Sequence, residues 1–307
     1  MTNSEHNARY VVTLFGRESL STHIDAVTNM LTQQGLDLST ITCRTLSEGT
    51  PYYVQQLTIA SPQTHSIEPL RQACLALSAQ IGIDVTVQDF EATQVSRQLI
   101  CFDMDSTLIG QEVIDELAKE AGIGEQVAEI TERAMQGELD FQQSFRARVA
   151  LLKGLDASVL EQIADRLTIN EGAARLISTL KAQGYHTAIF SGGFVFFANY
   201  LKDKLGLHEV HANVLDVVDG EVTGNVVGTV VDAQRKAVLL QQLAEQHGLT
   251  LAQTVAVGDG ANDLPMLSLA GLGVAFHAKP KVRAAAQQAI SHVGLDAVLY
   301  LLGHSDI

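Results

Sequence analysis

The sequence predicts an α/β protein: a Rossmann-like parallel sheet with an inserted helical cap, preceded by a small βαββαβ unit. Three observations predict it. Short apolar runs ending in polar turn-formers recur at Leu99-Ile100-Cys101-Phe102, at His186-Thr187-Ala188-Ile189-Phe190 and at Thr254-Val255-Ala256-Val257, as buried parallel strands do. Segments of helical period lie between them. The first run stops at Asp103-Met104-Asp105-Ser106-Thr107 and the third at Gly258-Asp259-Gly260-Ala261-Asn262-Asp263. Both acidic clusters therefore fall where open α/β sheets place their chemistry, at the carboxyl ends of strands.

The elements follow in order. Residues 10–15 read as a strand, and residues 20–34 as a helix with Ile24, Val27 and Leu31 on one face and Gly35 as its stop. Residues 39–46 and 52–59 read as strands about a turn at 47–51. Residues 67–81 form a second helix closed by Gly82, and residues 83–87 alternate as a last strand. The order βαββαβ is the ferredoxin-like split arrangement, and residues 1–92 resemble an ACT-type regulatory domain in that order. The resemblance implies L-serine binding or a homodimer contact. The turn Gly16-Arg17-Glu18-Ser19-Leu20 carries serine where amino-acid-binding ACT domains carry glycine, which favours a packing or dimerisation module.

A polar connector at 92–98 leads into a second unit, residues 93–307. Four helical stretches follow the first acidic cluster, marked by Val113, Ile114, Leu117, Ala118 and Ala121, by Val127, Ile130 and Ala134, by Phe141, Phe145, Val149 and Leu152, and by residues 157–167. That is more than a crossover needs, so residues from about 110 to 175 read as a cap over the site. Beyond it come a helix at 172–183, a strand at 186–190 ending in Ser191-Gly192-Gly193-Phe194, and a helix to 205. A hairpin turns at Asp219-Gly220, a helix spans 234–247, and strands fall at 255–257, 273–276 and near 289–290. His208 and His211 lie on a strand with no carboxylate placed beside them and read as surface residues.

The chain has 307 residues, 46% of them hydrophobic, enough for two domains with real cores. No run of 18 apolar residues implies a membrane span, and the polar start Met1-Thr2-Asn3-Ser4-Glu5-His6-Asn7 lacks a signal core, so a cytoplasmic protein is expected. Cys43, Cys74 and Cys101 fit neither a disulfide framework nor a zinc motif. The net charge of −15 excludes nucleic acid and anionic membrane as main partners. An anionic substrate would then need a cation and placed basic residues.

Asp-x-Asp-Ser-Thr alone could be a turn with a helix cap. Two acidic clusters at strand ends point instead to a hard-cation site of the Mg²⁺ type. Ser191-Gly192-Gly193 alone could be an ordinary turn, and Lys236 alone a solvated helix start.

Taken in this order, over about residues 99 to 280, the four pieces resemble the haloacid dehalogenase superfamily. With the cap residues they resemble its phosphoserine phosphatase family. The resemblance implies Mg²⁺-dependent hydrolysis of O-phospho-L-serine through an aspartyl phosphate. It makes Asp103 the nucleophile and Asp105 the acid and base. It assigns the Mg²⁺ to Asp103, Asp259 and the backbone carbonyl of Asp105, supported by Asp263 and Asn262. It sets Ser191, Gly192 and Asn262 on the phosphate and Lys236 between phosphate and Asp103. In the cap it pairs Glu112 with the substrate ammonium and Arg148 with the carboxylate, and it walls the pocket with Met135 and Phe141. Two alternatives remain beside this reading: a different small phosphate ester, or an amino-acid sensor with secondary catalysis. Ion-pumping ATPases share residues 258–265, but they need membrane spans, and Met104 and Ser106 depart from their pattern.

Overall fold

The structure, a computed structural model, describes residues 8–49, 51–61 and 66–307. The polar start at 1–7 and part of the turn at 47–51 lie outside the described residues. Two sheets organise the chain.

The first sheet holds β1 (Ala8–Gly16), β2 (Thr42–Ser47), β3 (Tyr53–Ser61) and β4 (Asp84–Asp89) in the order β2-β3-β1-β4, antiparallel throughout. That is the ferredoxin-like order. Its strands alternate with period two. Tyr10, Val12, Leu14, Leu57, Ile59, Val85 and Val87 pack against α1 (Ile24–Gln33) and α2 (Ile67–Ile81). The helix expected at 20–34 is broken: Leu20–Thr22 is a 3-10 turn and α1 starts only at Ile24. The hydroxyls of Ser19 and Ser21 bond each other there, an alternative to helix that such residues favour. The strand expected from 39 starts at Thr42, because Asp37 accepts the Ser39 N–H and opens a 3-10 turn. Helix α2 has the expected bounds and ends at Gly82, whose φ of +73° is the left-handed stop.

The other face of this sheet is covered by the second unit. Phe15, Leu46, Tyr52 and Val54 share a core with Val298 and Tyr300. The Tyr52 hydroxyl donates to Asp296 (2.9 Å) and accepts the Gly294 N–H (3.0 Å). Both oxygens of buried Asp84 accept backbone N–H groups, from Ser291 and His292, at 2.8 and 2.9 Å. The connector also departs from expectation. Its start belongs to a short helix, α3 (Phe90–Thr93), and Arg97 within it is buried.

The second sheet has the order β11-β10-β9-β5-β6-β7-β8. Its strands are β5 (Leu99–Phe102), β6 (His186–Phe194), β7 (Glu209–Val218), β8 (Glu221–Val227), β9 (Thr254–Gly258), β10 (Leu272–Phe276) and β11 (Gln288–Ile290). All pairs are parallel except β7–β8, which turn at Asp219-Gly220 with both φ positive. Strand β5 is buried on both faces. Ile100 and Phe102 join one core, while Leu99 and Cys101 join another. Helices α8 (Ala173–Ala182), α9 (Val195–Leu205) and α13 (Ala297–Leu301) lie with the first core. Helices α10 (Ala233–Gln246), α11 (Leu264–Leu269) and α12 (Pro280–Ala285) lie with the second. Between β5 and β6 the chain inserts α4 (Val113–Glu120), α5 (Gly124–Met135), α6 (Phe141–Ala150) and α7 (Val159–Asp165). Among the described residues, no helix is long and apolar enough to cross a membrane.

Candidate active site

Strand β5 lies between β6 and β9, where the strand order reverses, and such switch points open a crevice at the carboxyl ends. Asp103 follows β5 directly. Its N–H donates to the Val257 carbonyl (2.9 Å), which ties it to β9. Its Oδ1 accepts the Met104 N–H (2.8 Å) and faces Lys236 Nζ (2.8 Å). Lys236 is wholly buried in the first turn of α10, a helix capped by Asp232 through the Arg235 N–H (2.9 Å). Its Nζ also donates to Asp263 Oδ1 (2.7 Å). Asp263 Oδ2 accepts the Gly260 N–H (3.0 Å), and Thr107 donates to Asp259 Oδ1 (3.0 Å).

These bonds divide the work among the acids. Carboxylate oxygens of Asp103, Asp259 and Asp263 lie within 4.8 Å of one another. Both oxygens of Asp263 are already engaged and it is fully buried, whereas Asp103 and Asp259 line the cleft with their other oxygens uncommitted among the described residues. One lysine faces three carboxylates. Burial opposes charge on Lys236, but Asp103 and Asp263 outweigh it and hold its pKa above the usual lysine value. Burial and then Asp263 push the Asp259 carboxyl up to about 7. Burial and Asp263 likewise raise Asp103 against the pull of Lys236. A surplus of negative charge on converging oxygens suits a hard divalent cation.

Asp105 sits across the cleft. Its Oδ1 accepts the Val113 N–H (3.1 Å) at the start of α4. Burial and then the neighbouring Glu112 raise its pKa well above the usual carboxylate value. Ser106 bends the chain between them with a φ of +55°, strained for a serine, and donates to Glu112 (2.6 Å).

The opposite wall comes from β6. Ser191 is fully buried, and its hydroxyl accepts the Gly193 N–H (2.9 Å). Serine therefore lies behind the cleft lining, while Gly192 and Gly193 line it. The strand expected over 186–190 runs on through Ser191-Gly192-Gly193 to Phe194 as β6, and α9 begins at Val195. A Cβ on Gly193 would stand 2.7 Å from Asp105 Oδ2 and 2.8 Å from the Met104 methyl. Gly193→Ala therefore displaces Asp105, and kcat is expected to fall by about 10²-fold in a steady-state assay.

The cap supplies the roof. Phe141 stacks on Phe145 at 6.0 Å, and Arg148 reaches the cleft from the same helix. Among the described residues Arg148 donates only to the Ser144 carbonyl, at 3.4 Å. Glu112, Asn262 and Gly260 complete a cleft of about 170 Å³. Met135 does not join it. It ends α5 with its side chain 74% exposed, because α5 turns its Val127 face inward and leaves its last turn in solvent.

Three positioning residues escaped the sequence reading. Thr107 orients Asp259. The Asn170 amide donates to the carbonyls of Thr107 and Ile109 at 2.8 and 3.2 Å. Buried Asn213 donates to the Gly192 carbonyl and accepts the Val231 N–H, both at 2.8 Å. Only Thr107 carried a signal, its place within the first acidic motif.

Comparison with known proteins agrees with this geometry. Residues 98–271 match the family of haloacid dehalogenase-like hydrolases. A phosphoserine phosphatase of Streptomyces coelicolor is 50% identical over 236 residues, 77% of this chain and 58% of that protein. Another, from Haemophilus influenzae, is 50% identical over 226 residues, covering 74% of this chain and 72% of its own. The crystal structure of a probable phosphoserine phosphatase from Vibrio cholerae, in unliganded form, matches with a TM-score of 0.76 at 38% identity. It covers 97% of this chain and 87% of that one. The chain spans little more than half of the Streptomyces protein but most of the Vibrio structure. With more than half of its residues inside the family match and its acidic pairs at the sheet's switch point, this chain belongs to the haloacid dehalogenase-like hydrolases.

Proposed function

We propose that the protein is a phosphoserine phosphatase, releasing L-serine and inorganic phosphate from O-phospho-L-serine as the last step of serine synthesis. One observation carries this reading. A single cleft joins the Asp103–Asp105 pair to Arg148, which among the described residues makes no salt bridge, and to an acid, Glu112, the complement of an amino acid's two charges.

In the reaction, the uncommitted oxygen of Asp103 attacks phosphorus and the bond to the serine oxygen breaks. Asp105, whose raised pKa suits a general acid, gives a proton to that leaving oxygen. Asp105 then takes a proton from water, whose oxygen attacks phosphorus and frees phosphate from Asp103. Lys236 holds Asp103 in line and balances part of the charge that gathers there. The backbone N–H at Gly192 approaches the phosphoryl oxygens, while Ser191 accepts the Gly193 N–H and fixes that peptide from behind. Phe141 shields the reacting atoms from water. Mg²⁺ fits the oxygen donors of Asp103, Asp259 and the Asp105 carbonyl, with Asp263 and Asn262 behind them, and when bound it neutralises phosphoryl charge.

Phosphate release from O-phospho-L-serine, beside an aryl phosphate, tests the proposal. Turnover with Mg²⁺ that disappears in EDTA is expected. An aryl phosphate turned over while O-phospho-L-serine is left intact would refute the substrate. Arg148→Ala is expected to raise KM for phosphoserine by about 10–100-fold, the worth of a charge-assisted pair, and to leave KM for the aryl phosphate unchanged.

The N-terminal unit is proposed as an ACT-type packing module. Its open sheet face is already covered by residues 291–306, so a homodimer would use another surface, such as the edge of β2. L-serine binding there is the alternative ACT role. The three free cysteines suit a reducing, cytoplasmic setting.

A further inference from the structure

At the far end of the second sheet from the catalytic cleft, four histidines gather around one glutamate. His186 opens β6 and Glu209 opens β7, two residues out of register, so both stand at the amino ends of their strands. His247 caps the carboxyl end of α10, the helix whose first turn carries Lys236. His208 and His211 flank Glu209; His208 is exposed, as expected of a surface residue, whereas His211 is partly buried with Glu209 beside it.

The contacts are close. His186 Nε2 lies 3.2 Å from Glu209 Oε2, and His211 Nε2 lies 2.6 Å from Glu209 Oε1. The His186 ring packs between His247 at 4.1 Å and His208 at 4.8 Å. His208 Nδ1 accepts the Thr187 N–H (3.1 Å), which leaves its Nε2 as the outward nitrogen. The His208 ring stacks on His186 with the planes 23° apart, and the His247 ring is tilted from His186 by 40°. Neutral imidazole is the form that binds metal. One ligand atom each from His186, Glu209 and His247 falls within a 4.8 Å spread.

We propose that His186, Glu209 and His247 form a binding site for a borderline divalent transition cation, Zn²⁺ foremost. Two imidazole nitrogens and one carboxylate oxygen are a zinc donor set and a poor one for Mg²⁺. Tetrahedral bonds of about 2.0–2.1 Å need donors about 3.3 Å apart, and rotation of the exposed His247 side chain closes the gap. His211 binds the far oxygen of Glu209 and orients the near one, as outer partners of zinc ligands do. The helix end adds its own preference for a cation. A bound ion would join β6, β7 and α10, the strand and helix that carry Gly192, Gly193 and Lys236 at their other ends.

Equilibrium dialysis of the full chain against micromolar Zn²⁺, in millimolar Mg²⁺, tests the site, with bound zinc counted by atomic emission. One Zn²⁺ per chain is expected in the wild type and in Asp259→Asn, and none in His247→Gln or Glu209→Gln. His211→Gln is expected to weaken binding by about 10–100-fold. Zinc is expected to raise the melting temperature of the wild type and not of His247→Gln, an exposed substitution that leaves the core untouched. Zinc held equally by His247→Gln and Glu209→Gln, zinc lost only in Asp259→Asn, or no zinc in the wild type would each overturn the proposal.

Discussion

Asp103→Asn should lower kcat for phosphate release by on the order of 10⁴-fold or more while the protein stays folded. The amide oxygen can still accept from the Met104 N–H and from Lys236, as the carboxylate oxygen does at 2.8 Å from each. What disappears is the second oxygen, whose lone pair forms the bond to phosphorus. Lys236 keeps Asp263 as its counter-ion, so no buried charge is left alone. The measurement pairs phosphate release with a urea melt. A variant that retains a tenth of wild-type turnover would show that Asp103 is not the attacking group.

Lys236→Met should damage both activity and stability. The lysine is fully buried and its ammonium lies 2.8 Å from Asp103 and 2.7 Å from Asp263. Removing one member of a buried ion pair costs roughly 3–5 kcal/mol, because the partner stays behind uncompensated. The urea midpoint should therefore fall, and turnover should fall with it as Asp103 loses its positioning. Adding Asp263→Asn to Lys236→Met should recover part of the stability and none of the activity. Recovery of neither would mean that the lysine stem's packing, rather than its charge, holds the site together.

Much of this architecture is legible in the residues because local and global demands agree. Helix α2 has one apolar face and a glycine at its end, so its bounds follow from periodicity and that stop. Strand β5 is apolar on both faces and stops at the first aspartate, and the structure buries both of its faces. The pairing of Lys236 with Asp103 and Asp263 depends on the crossover of α10, and only the family pattern anticipated it.

Other features had no local signature. The 3-10 turn at Leu20–Thr22 interrupts an apolar spacing that reads as one continuous helix. Met135 lies at helical spacing, but which turn of α5 faces the cleft depends on how the cap docks. The histidine cluster is drawn from residues 186 to 247, and only strand register and the end of α10 bring it together. Nothing local marks Arg97 or Asp84 for burial; both are buried where the two units meet.

That covering has a consequence for how the protein is made. The partners of Asp84 and Tyr52 are Ser291, His292, Gly294 and Asp296, near the end of the chain. A ribosome adding about 5–20 residues per second needs about 10–40 s to travel from β4 to those partners. Through that interval the small sheet, with its helices already on one side, shows its other side to the cell. That side is a mixture: Thr13, Asp84, Thr86 and Gln88 stand among Phe15, Tyr52 and Val54. Those polar residues shrink the apolar patch that the face presents before residues 291–306 cover it.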